Sequence, residues 1–464
     1  MSLVASDPGS FRDPGGRIYS DGKRILRAVM PSSAPAYTAA RDAGLLERLA
    51  GKGMLLDSQE VDAAPLSGVQ PAPAVVLEHP RVPYVSYPYE WSFALHRKAA
   101  LLQLDLHLEA LESGFPLSDA TAYNIQFIGT KPIFIDHLSL RPYRDGEYWI
   151  GHRQFCMQFL NPLLMWTALG VQPNAWFRGS LEGIAPEDMA PLLSWRQKLS
   201  PTVLSHVVAP AAAARRMVQK GGGDEAPQGK LALSGFKAML KSLRFTIADM
   251  KLKDQKTVWS SYAGDNSYEA SEAAAKRAFV GEAVASAKPD ILYDIGCNTG
   301  DYSQAALEAG AKYVVAFDFD HGALEQAFSR FEASSSPVLP LWLDAANPSP
   351  SQGWAQAERR GMGERGGADF LIALAFIHHI VIGRNVPVGM ALDWLLALAP
   401  GGVIEFPPKE DPMVKRLLAH REDVFPDYGI DTFMRELQTR ARVVRTLELS
   451  ENGRLLVLYD RQAR

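Results

Sequence analysis

Residues 294–300 read DIGCNTG, and this stretch decides the fold of the C-terminal half of the chain. It overlaps the end of an apolar run at 291–295, which predicts a strand, and it leads into a helical pattern at 301–309. Gly296 and Gly300 let the backbone turn tightly and approach a ligand closely, at the sheet edge where open α/β folds bind their ligands. The stretch therefore predicts a strand, a ligand-binding turn and a helix in direct succession.

The alternation of strand and helix continues on both sides of this turn. Strands are predicted at 291–295, 313–317, 338–343, 368–375 and 402–406. Helices are predicted at 269–285, 301–309, 322–331 and 393–398. This βαβ order is typical of a parallel sheet that helices cover on both faces. The C-terminal half is therefore predicted to be an α/β, Rossmann-like, doubly wound sheet.

The end of the chain breaks this alternation. Residues 443–449 and 454–459 are two β-rich runs, and only Ser-Glu-Asn-Gly at 450–453 connects them. Asn and Gly both tolerate the positive φ that a type I′ turn requires, so the two strands are predicted to form an antiparallel hairpin.

Acidic residues follow the second and third predicted strands. Asp318 comes after 313–317, where a carboxylate can accept hydrogen bonds from both hydroxyls of a ribose, and Asp344 comes after 338–343. The glycine turn, the two acids and the terminal hairpin together resemble the class I methyltransferase family, which uses S-adenosylmethionine. The resemblance covers residues 256–464.

The resemblance implies roles for the residues of the turn and for the acid that follows the second strand. Asp294, Gly296, Asn298 and Gly300 would line the methionine part of the cofactor, and Asp318 would bind its ribose. Asn298 stands where many members of the family carry glycine.

Four further residues complete the expected cofactor site. Asp344 and Ala345 would face the adenine. Upstream, Tyr262 would close over the cofactor and Lys276 would pair with its carboxylate, although core packing or a solvated helix explains these two residues equally well.

Candidates for the chemistry follow the fourth and fifth predicted strands. His378 and His379 lie in ALAFIHHI at 373–380, and a neutral imidazole can take a proton from an acceptor hydroxyl, amine or acidic carbon. Glu405 ends the fifth strand and is a candidate for binding a polar acceptor. The alternatives are a histidine that caps a helix or satisfies a backbone carbonyl, and a glutamate in a solvated loop.

The N-terminal half has a different organisation. Hairpins are predicted at 16–29 and 124–136, helices at 36–51 and 92–112, and a mostly helical body up to about residue 214. This order predicts an α+β domain over 1–220. The glycine-rich segment 221–230 and a helix at 231–252 form the predicted linker, 221–255, to the methyltransferase domain.

A second resemblance lies in this half. Asp119 and Asn124 form D-x-x-x-x-N, and Asp136 follows in PIFID. The set resembles the catalytic loop and the metal-binding aspartate of the protein-kinase and aminoglycoside-phosphotransferase superfamily, which implies a magnesium site. Local capping by Asp119 and local pairing of Asp136 is the alternative.

This half departs from that superfamily in several places. Leu117 and Ser118 replace the usual His-Arg or His-Gly pair, and no glycine-rich loop is evident. The third strand has no obvious lysine, for which Arg24 or Arg27 is a candidate substitute. These departures favour a kinase-like shell that binds an acceptor or a partner over an active kinase.

The composition of the chain indicates which kinds of partner, metal site and location to expect. The chain has 464 residues, a net charge of -4 and no long basic stripe, so a nucleic-acid partner is not expected. Its two cysteines, Cys156 and Cys297, stand in no disulfide or zinc pattern, so neither a disulfide framework nor a cysteine-bound metal site is expected. The N-terminus lacks the apolar core of a secretory signal, and the predicted location is the cytoplasm, without membrane insertion.

The sequence thus predicts a two-domain enzyme that transfers a methyl group from S-adenosylmethionine to an unidentified acceptor, either a small molecule or a macromolecule. The alternative is a binding or regulatory protein with a kinase-like module and a vestigial cofactor site. A dinucleotide-dependent oxidoreductase is disfavoured by the terminal hairpin and by Asp294 at the head of the glycine turn.

Overall fold

The computed structural model describes residues 4–219, 230–252, 270–419, 422–449 and 453–461. The chain forms two compact units. The first comprises Met1–Phe127, Lys131–Asp254 and Gln352–Arg359, and the second comprises Ile128–Thr130, Gln255–Ser351 and Arg360–Arg464. Most of the glycine-rich segment 221–230 lies outside the described residues.

The first unit contains a five-stranded antiparallel sheet of order β1-β2-β3-β5-β4. Its strands are β1 Ala5–Ser6, β2 Gly16–Ser20, β3 Ile25–Val29, β4 Gln59–Val61 and β5 Val75–His79. The predicted first hairpin is confirmed, because β2 pairs with β3 through a turn in which Gly22 has φ 86°. The second predicted hairpin corresponds to the two-stranded sheet of β6 Ile125–Ile128 and β7 Lys131–Phe134.

Helices build the rest of the first unit. They are α1 Ala34–Asp42, α2 Leu45–Gly51, α3 Phe93–Glu112, α4 His152–Phe155, α5 Asn161–Leu164, α6 Asn174–Gly179, α7 Pro186–Leu192, α8 Trp195–Lys198, α9 Pro201–Val203, α10 Ala209–Gln219 and α11 Leu233–Asp249. Three π-helical segments, Cys156–Leu160, Met165–Leu169 and Leu204–Val208, interrupt the α-helical pattern. The single helix predicted at 36–51 is wrong, because Gly44 adopts a left-handed conformation with φ 66° and separates α1 from α2.

The second unit is built on a seven-stranded sheet of order β10-β9-β8-β11-β12-β14-β13. Its strands are β8 Ile291–Ile295, β9 Tyr313–Asp318, β10 Val338–Trp342, β11 Phe370–Ala373, β12 Gly401–Phe406, β13 Arg442–Glu448 and β14 Leu455–Asp460. Strands β8 to β12 are parallel, and β14 runs antiparallel between β12 and β13, so the predicted terminal hairpin is confirmed. Its connecting residues 450–452 lie outside the described residues.

Seven helices of the second unit are described. They are α12 Ala270–Ala287, α13 Asp301–Glu308, α14 His321–Ser334, α15 Ile377–Arg384, α16 Val388–Leu398, α17 Pro412–Leu418 and α18 Ile430–Gln438. The sequence analysis missed α15, α17 and α18. A signal for α17 was present, because Asp411 caps it by accepting hydrogen bonds from the amides of Met413 and Val414, and Pro412 occupies its first position.

The order of the buried parallel strands determines at which edge of this sheet a ligand would bind. Leu292, Val314, Ile372 and Val403 are fully buried on neighbouring parallel strands, as expected for a sheet covered on both faces. The chain leaves central β8 toward β9 on one side, and β11 lies on the other side. This reversal creates a crevice at the carboxyl ends of β8 and β11, where open α/β sheets bind ligands. Across the described residues of the whole chain, no helix has the length and apolar character needed to cross a bilayer.

Candidate cofactor-binding site

A cavity of about 440 Å³ lies at the carboxyl ends of the parallel strands of the second unit. Nine of the residues predicted from the sequence line it: Lys276, Asp294, Gly296, Asn298, Asp318, Asp344, Ala345, His378 and His379. Two others, Gly300 and Glu405, are absent from the lining, and Tyr262 lies outside the described residues.

The two glycines of the turn adopt left-handed conformations, and one of them packs too closely to accept a side chain. Gly296 has φ 80°, and its amide donates a hydrogen bond of 2.8 Å to the carbonyl of Phe317 on β9. A Cβ at this position would lie 3.4 Å from the ring of Phe376. Gly300 has φ 83°, and a Cβ there would lie 2.5 Å from the ring of Phe331. Both positions therefore favour glycine for conformation, and Gly300 requires it for space as well.

The carboxylate of Asp318 fixes the far side of the turn. It accepts hydrogen bonds from the amides of Asn298 at 2.7 Å and Asp320 at 2.8 Å, one on each oxygen. Asn298 has φ 50°, a left-handed conformation that asparagine tolerates better than most residues, so the turn closes without a glycine at this position.

One polar atom of the turn lacks a partner. The side-chain oxygen of Asn298 is buried and makes no hydrogen bond with any described residue. Such atoms are rare, because desolvation without a hydrogen bond is costly. Together with the glycine cradle, this atom fits a ligand that brings a hydrogen-bond donor into the cavity.

Burial also changes the acidity of the two central aspartates. Asp294 is 2% exposed at the end of β8 and accepts a hydrogen bond of 2.6 Å from the hydroxyl of Ser303. Desolvation raises the pKa of Asp294 to about 7 and that of Asp318 to about 6. A cationic ligand beside them would favour their ionised forms.

The third acid lies past β10. Asp344 accepts a hydrogen bond of 3.1 Å from the amide of Ala346, and its carboxylate is 3.8 Å from the guanidinium of Arg384. Phe319, which directly follows Asp318, also lines the cavity, and 56% of its surface is exposed. Phe319 was not identified from the sequence, although its position directly after Asp318, the acid predicted to bind a ribose, indicated an aromatic contact.

Glu405 lies behind the cavity wall in a buried network of charges. Its carboxylate is 2.5 Å from Nζ of Lys276 and 3.1 Å from the guanidinium of Arg454. Arg454 also contacts the carboxylate of Asp411 at 2.5 Å. Two cations thus balance two carboxylates, as burial of charge requires. Glu405 is therefore not in the solvated loop that was the alternative expectation, and Arg454, just after the turn at 450–453, was not identified from sequence.

The same carboxylate holds the connection between β11 and α15. The amide of Ala375 donates a hydrogen bond of 2.6 Å to Glu405, and Ala375 has φ 48°. A left-handed non-glycine residue costs free energy and persists where its surroundings enforce it, often at functional sites. Glu405 therefore helps to set the path of the chain that leads to His378.

The two histidines lie past the end of β11, in the first turn of α15. Their ring centroids are 4.1 Å apart. His378 is 1% exposed, and neither of its ring nitrogens has a hydrogen-bond partner among the described residues. Burial lowers the pKa of His378 well below its usual range and that of His379 to about 4. Both imidazoles are therefore neutral near pH 7.

A separate polar cluster occurs within the first unit. The side-chain amide of Asn124 is 3.1 Å from the carboxylate of Asp119 and 3.5 Å from that of Asp136. Arg27, on β3, forms an ion pair of 3.0 Å with Asp136. The structure thus brings together the three residues of the D-x-x-x-x-N and PIFID segments. The other candidate cation, Arg24, instead pairs with Asp21 in the β2–β3 turn.

The strand order and the cavity at the switch point define the class of the second unit, a Rossmann-like α/β domain that resembles the class I methyltransferases. The chain is 43% identical over 468 residues to the nodulation protein NoeA of Rhizobium meliloti strain 1021, an alignment covering 99% of this chain and 98% of that protein. It belongs to the NoeA family. No known family model matches the chain.

Two solved structures are similar to part of the chain. The N-methyltransferase NodS of Bradyrhizobium japonicum WM9, in complex with S-adenosyl-L-homocysteine, is 13% identical, with a TM-score of 0.32 over 41% of this chain and 88% of NodS. The magnesium protoporphyrin IX methyltransferase ChlM of Synechocystis PCC 6803, with bound S-adenosylmethionine, is 17% identical, with a TM-score of 0.28 over 45% of this chain and 87% of ChlM.

The raised pKa of Asp294 predicts a specific dependence of stability on pH. Its folded value of about 7 exceeds the ordinary 3.8, so the stability that Asp294 contributes is present below pH 4 and is lost as pH rises through 7. We expect Asp294→Asn to gain stability relative to the unsubstituted protein between pH 5 and pH 8, by about 2–3 kcal/mol. Urea unfolding of both proteins at the two pH values measures this difference.

Asp393→Asn is the matched control. Asp393 is exposed, and its hydrogen bond to Arg440 lowers its pKa, so it is ionised at both pH values. Its replacement should change stability equally at pH 5 and pH 8. Parallel pH profiles for Asp294→Asn and the unsubstituted protein would show that Asp294 does not titrate as a buried acid.

Proposed function

We propose that this protein transfers a methyl group from S-adenosylmethionine to an unidentified acceptor. Residues 256–464 form the catalytic domain in this proposal, 1–220 bind the acceptor or a partner, and 221–255 link them. The observation that carries it is the Asp318 carboxylate at the cavity edge, with one backbone amide on each oxygen. A carboxylate has about four acceptor positions, so Asp318 keeps acceptor capacity for a ribose hydroxyl.

The lining of the cavity supports a complete cofactor placement. Asp294, Gly296 and Asn298 bind the methionine part, and Gly300 allows the turn to close beneath it. The orphaned side-chain oxygen of Asn298 suits the cofactor's ammonium group as a donor. Asp294, when ionised, adds negative charge on the same side.

The nucleoside part of the cofactor occupies the other end of the cavity. Asp344 and Ala345 contact the adenine in this placement, and Phe319 offers an exposed ring beside them. Lys276 lines the cavity while paired with Glu405, and it contributes positive charge near the cofactor carboxylate. Closure by Tyr262 stays a prediction.

S-adenosylmethionine supplies an electrophilic methyl group. The protein must then orient the acceptor and remove a proton if the acceptor atom carries one. His378 is our choice for the base, because it is neutral, lines the cavity and has two ring nitrogens without partners among the described residues. His379 packs against it.

Glu405 has a different role in this mechanism from the direct one predicted from the sequence. Lys276, Arg454 and the amide of Ala375 already engage its oxygens. A base with these partners would have to break two ion pairs to accept a proton. We assign Glu405 as a positioning residue that holds the loop before His378.

The name of the relative NoeA connects that protein with nodulation, and we propose that this chain also acts in nodulation. The name does not identify a methyl acceptor. A cytoplasmic location agrees with two cysteines that are free and buried.

Binding of the cofactor is the first test. We expect S-adenosylmethionine to bind with a dissociation constant on the order of micromolar. Asp318→Ala should weaken binding roughly tenfold to a hundredfold, because it removes the charged acceptor of the ribose hydroxyls. Isothermal titration calorimetry on the full chain measures both values. Asp393→Ala, which removes an exposed acid of the same unit, is the control, and equal affinity for Asp318→Ala would place the ribose elsewhere.

The transfer step is tested at the histidines. His378→Gln should lower turnover by roughly a hundredfold or more while affinity for S-adenosylmethionine holds, because the variant lacks a base. Transfer of labelled methyl groups into an extract of Rhizobium meliloti, the source of the relative NoeA, measures turnover. His379→Gln is the matched neighbour, for which we expect a lower melting temperature and a smaller loss of turnover. Full turnover by both variants would contradict the proposal and leave proximity to explain the chemistry.

We propose a second candidate function for the first unit, the binding of a magnesium nucleotide by a kinase-like shell. The cluster of Asp119, Asn124 and Asp136 supports it, because these oxygen ligands suit magnesium. The ion pair between Arg27 and Asp136 occupies one carboxylate and has to rearrange when the metal binds.

Magnesium-dependent ATP binding tests this second candidate. We expect calorimetry to detect ATP binding only with magnesium present, and Asp136→Ala to abolish it by removing a ligand. The same variant should keep its affinity for S-adenosylmethionine, since the two clusters belong to different units. Absence of magnesium-dependent binding by the unsubstituted protein would refute nucleotide binding and leave recognition of an acceptor or partner.

A further inference from the structure

The first unit contains a compact cluster of two histidines and a cysteine that neither proposed function uses. Nε2 of His152 is 2.7 Å from Nδ1 of His206 and 3.6 Å from Sγ of Cys156. The ligand atoms of the three residues all lie within 4.8 Å of one another. Cys156 and His206 are buried, and His152 is partly exposed.

Unusual helical geometry brings the cluster together. His152 and Cys156 are four residues apart, at the start of α4 and at the start of the π-helical segment Cys156–Leu160. His206 lies in another π-helical segment, Leu204–Val208. π-helical turns are rare and frequently occur at functional sites. Two of the three such segments in the described residues thus contribute to one cluster.

Burial keeps both imidazoles unprotonated, so no proton competes with a metal ion for their nitrogens. Burial lowers the pKa of His152 and brings that of His206 to about 4, so both rings are neutral at physiological pH. Burial also raises the pKa of the Cys156 thiol to about 12, so without a metal it carries its proton. A neutral imidazole is the form that binds metals, and a bound metal displaces the thiol proton.

We propose that His152, Cys156 and His206 form a binding site for a divalent metal ion of the zinc class. Two imidazoles and one thiolate are ligands that zinc prefers. With Zn–N about 2.0–2.1 Å and Zn–S about 2.3 Å, a tetrahedral ion needs about 3.3 Å between its nitrogens and about 3.6 Å between nitrogen and sulfur. The sulfur to Nε2 distance of 3.6 Å already fits, and the two nitrogens need to separate by about 0.6 Å.

The site binds the metal in a simple exchange. The metal ion gains bonds to two neutral nitrogens and one thiolate sulfur, and one proton leaves Cys156 for solvent. Water completes the fourth position, on the side where His152 is partly exposed. The metal then links α4 to the segment Leu204–Val208 and stabilises the first unit. Without a metal, a hydrogen bond between the two imidazoles is the competing explanation for their short distance.

Cobalt is the probe for this site, because Co²⁺ binds zinc sites and its thiolate complexes absorb in the near ultraviolet. The full chain is stripped with a chelator and titrated with Co²⁺, and bound zinc is counted by native mass spectrometry. We expect one equivalent of metal, a cobalt–thiolate absorption band, and a higher melting temperature with zinc. Cys156→Ser should abolish the band, and His206→Gln should weaken binding at least roughly a hundredfold, because even the loss of an outer partner costs about 10–100-fold.

Cys297→Ser is the matched control, since it removes the other buried cysteine and should keep the cobalt–thiolate band. The melting curves of the metal-free proteins show whether each variant folds, and His206→Gln provides the second test if Cys156→Ser does not. A chain that binds no cobalt, or a band that survives in Cys156→Ser, would overturn the proposal. The imidazole hydrogen bond would then be the whole function of the cluster.

Discussion

The buried carboxylate of Glu405 is the constraint around which the second unit is organised. A charge taken out of water must be paired, and breaking a buried pair by removing one partner typically costs about 3–5 kcal/mol. Glu405 is fully buried and meets Lys276 from α12, Arg454 near the start of β14 and the amide of Ala375 after β11. One side chain therefore ties a helix, the antiparallel strand and the β11–α15 connection to the end of β12.

This network positions the β11–α15 connection, which forms one wall of the cavity. The left-handed conformation at Ala375 is unfavourable for a residue with a Cβ, and the hydrogen bond to Glu405 compensates for it. The chain then enters α15 with His378 directed into the cavity wall. Asp318 has a comparable role at the glycine turn, because its carboxylate accepts a hydrogen bond from the amide of Asn298 and holds the turn in place. The carboxylates of Glu405 and Asp318 thus position the two loops between which a ligand would lie.

The features of these loops that suit ligand binding also lower the folding stability of the protein without a ligand. The acids of the cavity are desolvated, and the pKa values of Asp294 and Asp318 are raised toward neutrality. His378 is buried with both ring nitrogens unpartnered among the described residues. Each of these features costs folding free energy in the empty protein, and each becomes favourable when a ligand supplies the missing charge or hydrogen bond. The first unit has the same character at His152, Cys156 and His206, where burial keeps two imidazoles neutral beside a protonated thiol.

The sequence by itself determined the sheet of the second unit, its glycine turn and the terminal hairpin, because each has a local signature. Alternating apolar runs give strands, and glycine at two positions allows the turn. Nine residues of the cavity lining were also predictable, since side chains that follow parallel strands meet at one sheet edge. Only the tertiary structure decided that Glu405 is paired with Lys276 and Arg454, because these residues are 129 and 49 positions away along the chain. The same holds for His152 and His206, which are 54 positions apart and meet through π-helical segments that have no clear signature in the sequence.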